Sequence, residues 1–232
     1  MSAALKKEKE PGLMGVYFVG LLTAVLGVLA GFFFLSLFPA RSFSSAEDRD
    51  AFLESAGDRA PRPGDAYYFE GSVQRTNSWS QKRRQLLDGE AASIEWTGGE
   101  LNAWVTNQFR PGTSEEGEDA NVLMVPQLPN FSIVGETLHI SLPVEAVLFG
   151  IDADFTAFVT GRFGPGAAPR FDFESAHINN AAIPVEAGLA KRVIGIFLKA
   201  YSGSQEFKDI RDAWARVRSA EVVDGRLRLE LN

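Results

Sequence analysis

The chain reads as α+β: one N-terminal transmembrane helix followed by a domain in which a long, curved antiparallel β-meander packs against amphipathic helices. Three observations predict this. Leu13 to Phe38 is a run of twenty-six residues without a charged side chain. Two stretches, Thr137 to Phe149 and Ile151 to Phe163, then alternate apolar and polar residues with a period of two, over lengths well beyond the roughly five to six residues of an ordinary strand. Around them, apolar residues recur at helical spacing from Gly99 to Phe109, after Ile183-Pro184 and from Gln205 to Val217.

Composition bounds the function classes. The 232-residue chain carries a formal net charge of −7 and no cysteine. Setting aside the three lysines and two glutamates of residues 1–40 leaves 20 basic against 28 acidic side chains. That balance excludes nucleic acid as a partner, because such binding rests on lysine and arginine neutralising phosphates. Without cysteine there is no disulfide framework, thiolate metal site or cysteine nucleophile. The 192 residues beyond position 40 suffice for one domain of ordinary size.

Residues 1–12 form a short charged cytoplasmic stub. As a helix, Leu13 to Phe38 extends about 39 Å, more than the ~30 Å hydrocarbon thickness of a bilayer. It is too long for the ~7–15-residue apolar core of a cleaved signal, and Phe38-Pro39-Ala40 is a poor cleavage site. Lys6, Lys7 and Lys9 flank its N-terminal side, against Arg41 and Arg49 on the other. The positive-inside rule therefore places the N-terminus in the cytoplasm and residues 66–232 outside it, as a periplasmic or extracellular domain of the cell envelope. Residues 39–65 link the two. Ser44-x-x-Glu47 and Ser45-x-x-Asp48 open a short helix over Ala46 to Ser55, and Ala60-Pro61-Arg62-Pro63-Gly64 makes a stiff spacer.

Within the domain, Asn77 to Leu87 reads as a helix ended by Asp88-Gly89, with Lys82-Arg83-Arg84 on a solvated face. Ala92 to Trp96 is a short strand. Thr97-x-x-Glu100 is a capping box that opens an amphipathic helix over Gly99 to Phe109, with Leu101, Trp104 and Val105 on its apolar side. Arg110 to Ala120 is an acidic, turn-rich loop. Val122 to Val125 and Phe131 to Val134 are short strands leading into the long alternating pair, in which Pro143 implies an edge position or a bulge. Gly150 turns the chain, Gly164-Pro165-Gly166 closes the second long strand, and Arg170 to Ile178 supplies a third. After Ile183-Pro184 comes a helix whose buried stripe is Leu189, Val193, Ile196/Phe197 and Ala200. The next helix, Gln205 to Val217, presents Phe207, Ile210, Trp214 and Val217. Asp224-Gly225 between alternating segments marks a terminal hairpin.

The single anchor, the helix start Thr97-Gly98-Gly99-Glu100-Leu101-Asn102, the meander ending in Leu148-Phe149-Gly150, the Ile183-Pro184 helix and the closing Val223-Asp224-Gly225-Arg226-Leu227 together resemble YpmS-type and LmeA-type bacterial envelope proteins. Those are distantly similar to the tubular lipid-binding, BPI-like domains. The resemblance covers residues 92–232 and implies a curled sheet with a helix around an apolar tunnel, and no catalytic motif. The acidic insertion at Arg110 to Ala120 and the Tyr67-Tyr68-Phe69 region depart from that pattern.

Candidate site residues follow from the periods. Leu138, Ile140, Leu142, Val144, Phe155, Val159, Phe163, Phe171 and Phe173 share the apolar face of the meander. That face is either a filled core or the lining of a cavity for a lipid or another apolar ligand. In the anchor, Gly20, Ala24, Gly27 and Gly31 form a narrow stripe of small residues, the pattern that lets two membrane helices approach closely. His139 and His177 have no accompanying catalytic motif. Asp152, Asp154 and Glu145 read as a solvated strand face. No catalytic residue, metal or cofactor is expected. Two functions fit: a membrane-anchored extracytoplasmic binding module, or a non-catalytic accessory subunit of a larger membrane complex docked through the anchor helix. The partners implied are the bilayer, a bound lipid and other membrane subunits.

Overall fold

The computed structural model describes residues 13–56, 66–110, 122–148, 151–164 and 168–232. Several expectations lie outside these residues: the stub, the proline-rich spacer, the acidic loop from residue 111 onward, the turn at Gly150, and Pro165-Gly166. The apolar run forms helix α1 (Leu13–Leu37), and α1 is long and apolar enough to cross a membrane. Its 25 residues span about 37 Å, roughly a turn more than the hydrocarbon requires. Along it Ser36 is buried and Phe32 half-buried, while the rest is exposed.

Strand β1 (Arg41–Phe43) and helix α2 (Ala46–Ala56) follow, and the Ser45 hydroxyl accepts the Asp48 N–H at 3.1 Å. Strand β2 (Tyr67–Phe69) then returns to pair in parallel with β1, a pairing invisible in segments of three residues. Helix α3 (Ser78–Asp88) ends on Gly89 at φ +71. Arg216 donates to the carbonyls of Leu86 and Leu87, so a cation closes the helix end where the backbone dipole favours one. Strand β3 (Ser93–Trp96) leads to helix α4 (Gly98–Gln108), and its capping box is present in both directions. Thr97 Oγ1 accepts from Glu100 N at 3.1 Å and Glu100 Oε2 accepts from Thr97 N at 2.9 Å.

The large sheet holds β4 (Val122–Pro126), β5 (Asn130–Val134), β6 (Thr137–Leu148), β7 (Ile151–Gly164), β8 (Arg170–Ile178) and β9 (Ala181–Ala182), in the order β4-β6-β7-β8-β9 with β5 also on β6. All its pairings are antiparallel. Pro143 does not lie on an edge strand. It sits within β6 opposite Thr156, at the point where β5, which covers residues 137–141, gives way to β4, which covers 144–148. The missing N–H falls in that gap, and the Pro143 carbonyl accepts from Gln127 N at 2.9 Å and Tyr201 Oη at 2.7 Å. A bulge between β7 and β8 at Thr160/Gly161 changes the phase of β8. Phe171 and Phe173 before it, and Ala176 and Ile178 after it, all pack against the same core.

A 3₁₀ turn (Glu186–Gly188) precedes helix α5 (Leu189–Tyr201). Of the expected stripe, Phe197 is buried and Val193 packs half-buried against the core, but Leu189 and Ile196 are exposed, and Ala190, Ile194 and Tyr201 complete the buried side instead. Helix α6 (Gln205–Trp214) starts at Ser204, whose hydroxyl accepts from Phe207 N. Val217 is not helical but opens β10 (Val217–Val223), which pairs with β11 (Arg226–Leu231) through a turn with Asp224 and Gly225 at φ +51 and +70. With β3 they form a three-stranded sheet.

Two cores result. One joins α3, α4, α6 and the small sheet around stacked Trp96 and Trp104, whose rings are 4.9 Å apart. The other lies between the apolar face of the large sheet and α5. Nor is the Lys82-Arg83-Arg84 triplet a uniformly solvated face. Lys82 pairs with Glu100 at 2.6 Å, and Arg83 donates twice to Glu206 at 2.7 Å, leaving Arg84 exposed. Trp104 also donates to Glu206, so this buried carboxylate ties α3 and α4 to α6.

Candidate functional site

The apolar residues singled out in the meander are placed as follows. Leu142, Val144 and Val159 are buried in the core under α5, and Ile140, Phe155, Phe171 and Phe173 pack against it half-buried. Leu138 is buried. Phe163 instead belongs to the other core, near Trp214. Helix α5 thus packs over part of this sheet face.

The opposite, polar face of the same sheet bears a cleft of about 460 Å³. Alternation puts His139, Thr160, Ser175 and His177 on this face, with Thr137, Val134 and Glu174 at its margin. The β1–β2 ribbon and α2 cover it, contributing Arg49, Ala66, Tyr67 and Phe69. Aromatic contacts seat the ribbon. Phe69 meets the His139 ring edge-on at 5.1 Å, Tyr68 lies 5.1 Å from Phe158, and Phe158 stacks on His177 at 4.8 Å. Arg49 donates to Tyr67 Oη at 3.2 Å and lies 5.7 Å from the Tyr67 and Phe69 rings. Thr160 and Ser175 share a hydrogen bond at 2.8 Å across the strands.

Burial lowers both histidine pKa values, with Glu174 opposing the shift at His139. Both Nδ1 atoms are buried without a hydrogen-bond partner. The imidazoles are therefore neutral at pH 7 and walled by rings. Ser141, two residues from His139 on the same strand face and opposite Phe158, is buried. Among the described residues no three of His, Asp and Glu gather as a metal site.

Beside this cleft lies the junction between α1 and the domain. Asn179, 2% exposed and at φ +49 in the β8–β9 turn, donates from Nδ2 to the Ser36 carbonyl at 2.7 Å and to the Asp154 carbonyl at 3.0 Å, and accepts from Thr156 N at 2.9 Å. Asn180 donates from Nδ2 to the Phe38 and Pro39 carbonyls, both at 3.1 Å, and accepts from Ala66 N at 2.7 Å. The last carbonyls of a helix lack intrahelical partners. Here an Asn-Asn turn supplies them, so the exit of α1 is bonded to the sheet rather than left on a leash. Neither asparagine stood out in the sequence, because the partner carbonyls lie about 140 residues away.

The small-residue stripe of α1 is open. Gly20, Gly27 and Gly31 have nothing within 4 Å of where a Cβ would stand, and Ala24 is exposed. No family model, no characterised protein and no solved structure matches this chain.

Proposed function

We propose that this is a single-pass cell-membrane protein whose domain stands outside the cytoplasm and serves as a non-catalytic accessory subunit of a larger membrane complex, docked through α1. The observation that carries this reading is the Asn179–Asn180 clamp. A binding module on a tether needs no fixed seat, whereas a subunit that must present its surfaces at one height beside a partner does. The exposed stripe of Gly20, Ala24, Gly27 and Gly31 supports α1 as the docking helix, since close backbone approach gives packing in lipid. Replacing Gly27 and Gly31 with Leu in the full chain should reduce the proteins that co-purify in mild detergent. Undiminished recovery of the same partners would count against docking through α1.

A second reading is favoured by one observation, the 460 Å³ cleft beside the membrane exit. In that reading the protein is an extracytoplasmic binding module, and a ligand with an apolar body and a polar head meets the aromatic ribbon and the Thr160/Ser175 hydroxyls. The apolar tunnel implied by the likeness to YpmS-type and LmeA-type proteins would require α5 to leave the sheet, so the cleft is the better candidate. Native mass spectrometry of the detergent-extracted chain tests this. Bound lipid that is lost in Tyr67→Ala supports the cleft, and a chain free of ligand argues for the accessory role alone.

A further inference from the structure

Outside α1, five of the eight exposed large hydrophobic side chains among the described residues lie on or beside two elements that pack together, whereas Phe38, Tyr67 and Val73 lie elsewhere. Val125 and Leu128, on β4 and just beyond it, and Leu189, Ile196 and Leu198 on α5 are all open to solvent, with Ile196 59% exposed. Strand β4 and α5 pack against each other. On α5, Leu189 and Ile196 stand two turns apart on one shoulder, and Arg192 and Lys199 stand three residues beyond each of them, forming a parallel basic ridge. The helix holds Lys191, Arg192 and Lys199 and no acidic residue, in a chain whose net charge is −7. An apolar shoulder beside a basic ridge is the surface of a helix that lies in a membrane interface, its cations reaching the headgroups.

The position of α5 agrees with this. Tyr201, at its C-terminal end, bonds the Pro143 carbonyl. Pro143 pairs with Thr156, and Thr156 bonds Asn179, the residue that holds Ser36. The N-terminal end of α5 follows β9, which packs against α1. The C-terminal end of α5 is thus linked through the sheet to the seat of α1, and its N-terminal end follows within seven residues the strand that packs against α1. The turn of α1 that docks, Phe32 to Ser36, is also the turn left over after ~20 residues have crossed ~30 Å of hydrocarbon.

We infer that α5, with the adjoining edge of β4, is a second membrane contact: an interfacial helix that rests on the phospholipid headgroups beside α1 and prefers anionic lipid. This rests on reading α1 as a span, and the test separates the two. The chain has no cysteine, so Ile196→Cys and Leu22→Cys each place a single environment-sensitive fluorophore on the full-length protein. Each labelled protein is reconstituted in phosphatidylcholine vesicles with and without phosphatidylglycerol, using lipids brominated at shallow or deep acyl carbons.

The Ile196 label should emit at shorter wavelength and lose emission to the shallow bromines, as for a face buried ~5–10 Å into the interface. Phosphatidylglycerol should deepen that loss, and the gain should vanish in Arg192→Glu. The Leu22 label should respond to the deep bromines. Quenching of Leu22 but not Ile196 overturns the interfacial contact and leaves the span standing. An Ile196 label shielded from aqueous iodide yet untouched by bromolipid means that a protein covers the face, which also overturns it. No response at either position removes the span and this contact together.

Discussion

At the scale of single residues, Asn179 is the position on which most depends. Its side chain makes three hydrogen bonds, two of them joining α1 to β7 through one amide, and its backbone occupies the left-handed region. Asn179→Gly keeps that backbone available and removes the bonds, which should cost about 2–3 kcal/mol for the buried groups left unsatisfied. Asn179→Ala should cost a further ~1 kcal/mol, since alanine does not share glycine's ease at positive φ. Denaturant unfolding of the detergent-solubilised chain, followed by tryptophan emission, measures both. The histidines make a separate statement about pH. Burial holds His139 and His177 below their ordinary value of 6.5. Above that pH both are neutral whether folded or unfolded, and their contribution to stability is complete. As the pH falls below 6.5 the unfolded chain takes up protons that the folded one refuses, so stability declines towards the lower folded values. The melting temperature should therefore drop on acidification below pH 6.5, and His139→Gln with His177→Gln should flatten that part of the curve.

Single elements show where the sequence is readable. Helix α4 was legible to its cap, because Thr97 and Glu100 act within one turn, and Thr97→Ala should lower stability by about 1 kcal/mol. The β6–β7 pair was legible as well, since a period of two over a dozen residues admits one assignment of faces. The phase of α5 was not legible. Its apolar residues cover more than half the circumference, so periodicity alone does not say which arc meets the sheet. The break at Gly188, at φ +70, sets the start of the helix and with it the buried set Ala190, Ile194, Phe197 and Tyr201. The bulge in β8 was equally hidden, although Gly161 marks it. A Cβ there would stand 2.2 Å from the Asp172 carbonyl oxygen. Gly161→Ala should thus force β7 and β8 apart and reduce folded yield far more than Thr97→Ala does, as read by soluble recovery and far-ultraviolet circular dichroism.

For the whole molecule, the long-range bonds are what the sequence conceals. The bidentate Arg83–Glu206 pair spans 123 residues and the β1–β2 ribbon reaches the polar sheet face from the segment that follows α1. Both arise only after the chain has closed, so neither leaves a local pattern. The cleft belongs to this class, because its floor was readable as a polar strand face while its roof was not. Orientation across the membrane is also a property of the whole chain. Asp224→Cys, in the terminal hairpin turn, should react with a membrane-impermeant maleimide added to intact cells, and labelling only after lysis would place the domain in the cytoplasm.

The clamp also fixes rotation. At about 100° per residue, the centre of Phe32 and Ser36, the side of α1 seated on the domain, lies roughly 130° around the helix from the centre of Gly20, Ala24, Gly27 and Gly31. A second helix lodged on the glycines would rise past the domain rather than into it, and the domain would project outboard of the pair. Because the seat is bonded and not hinged, one residue inserted into α1 between Gly31 and Phe32 would swing the domain by that same ~100° about the axis of α1. The domain's bearing towards any helix lodged on the glycines is therefore set by the count of residues in α1.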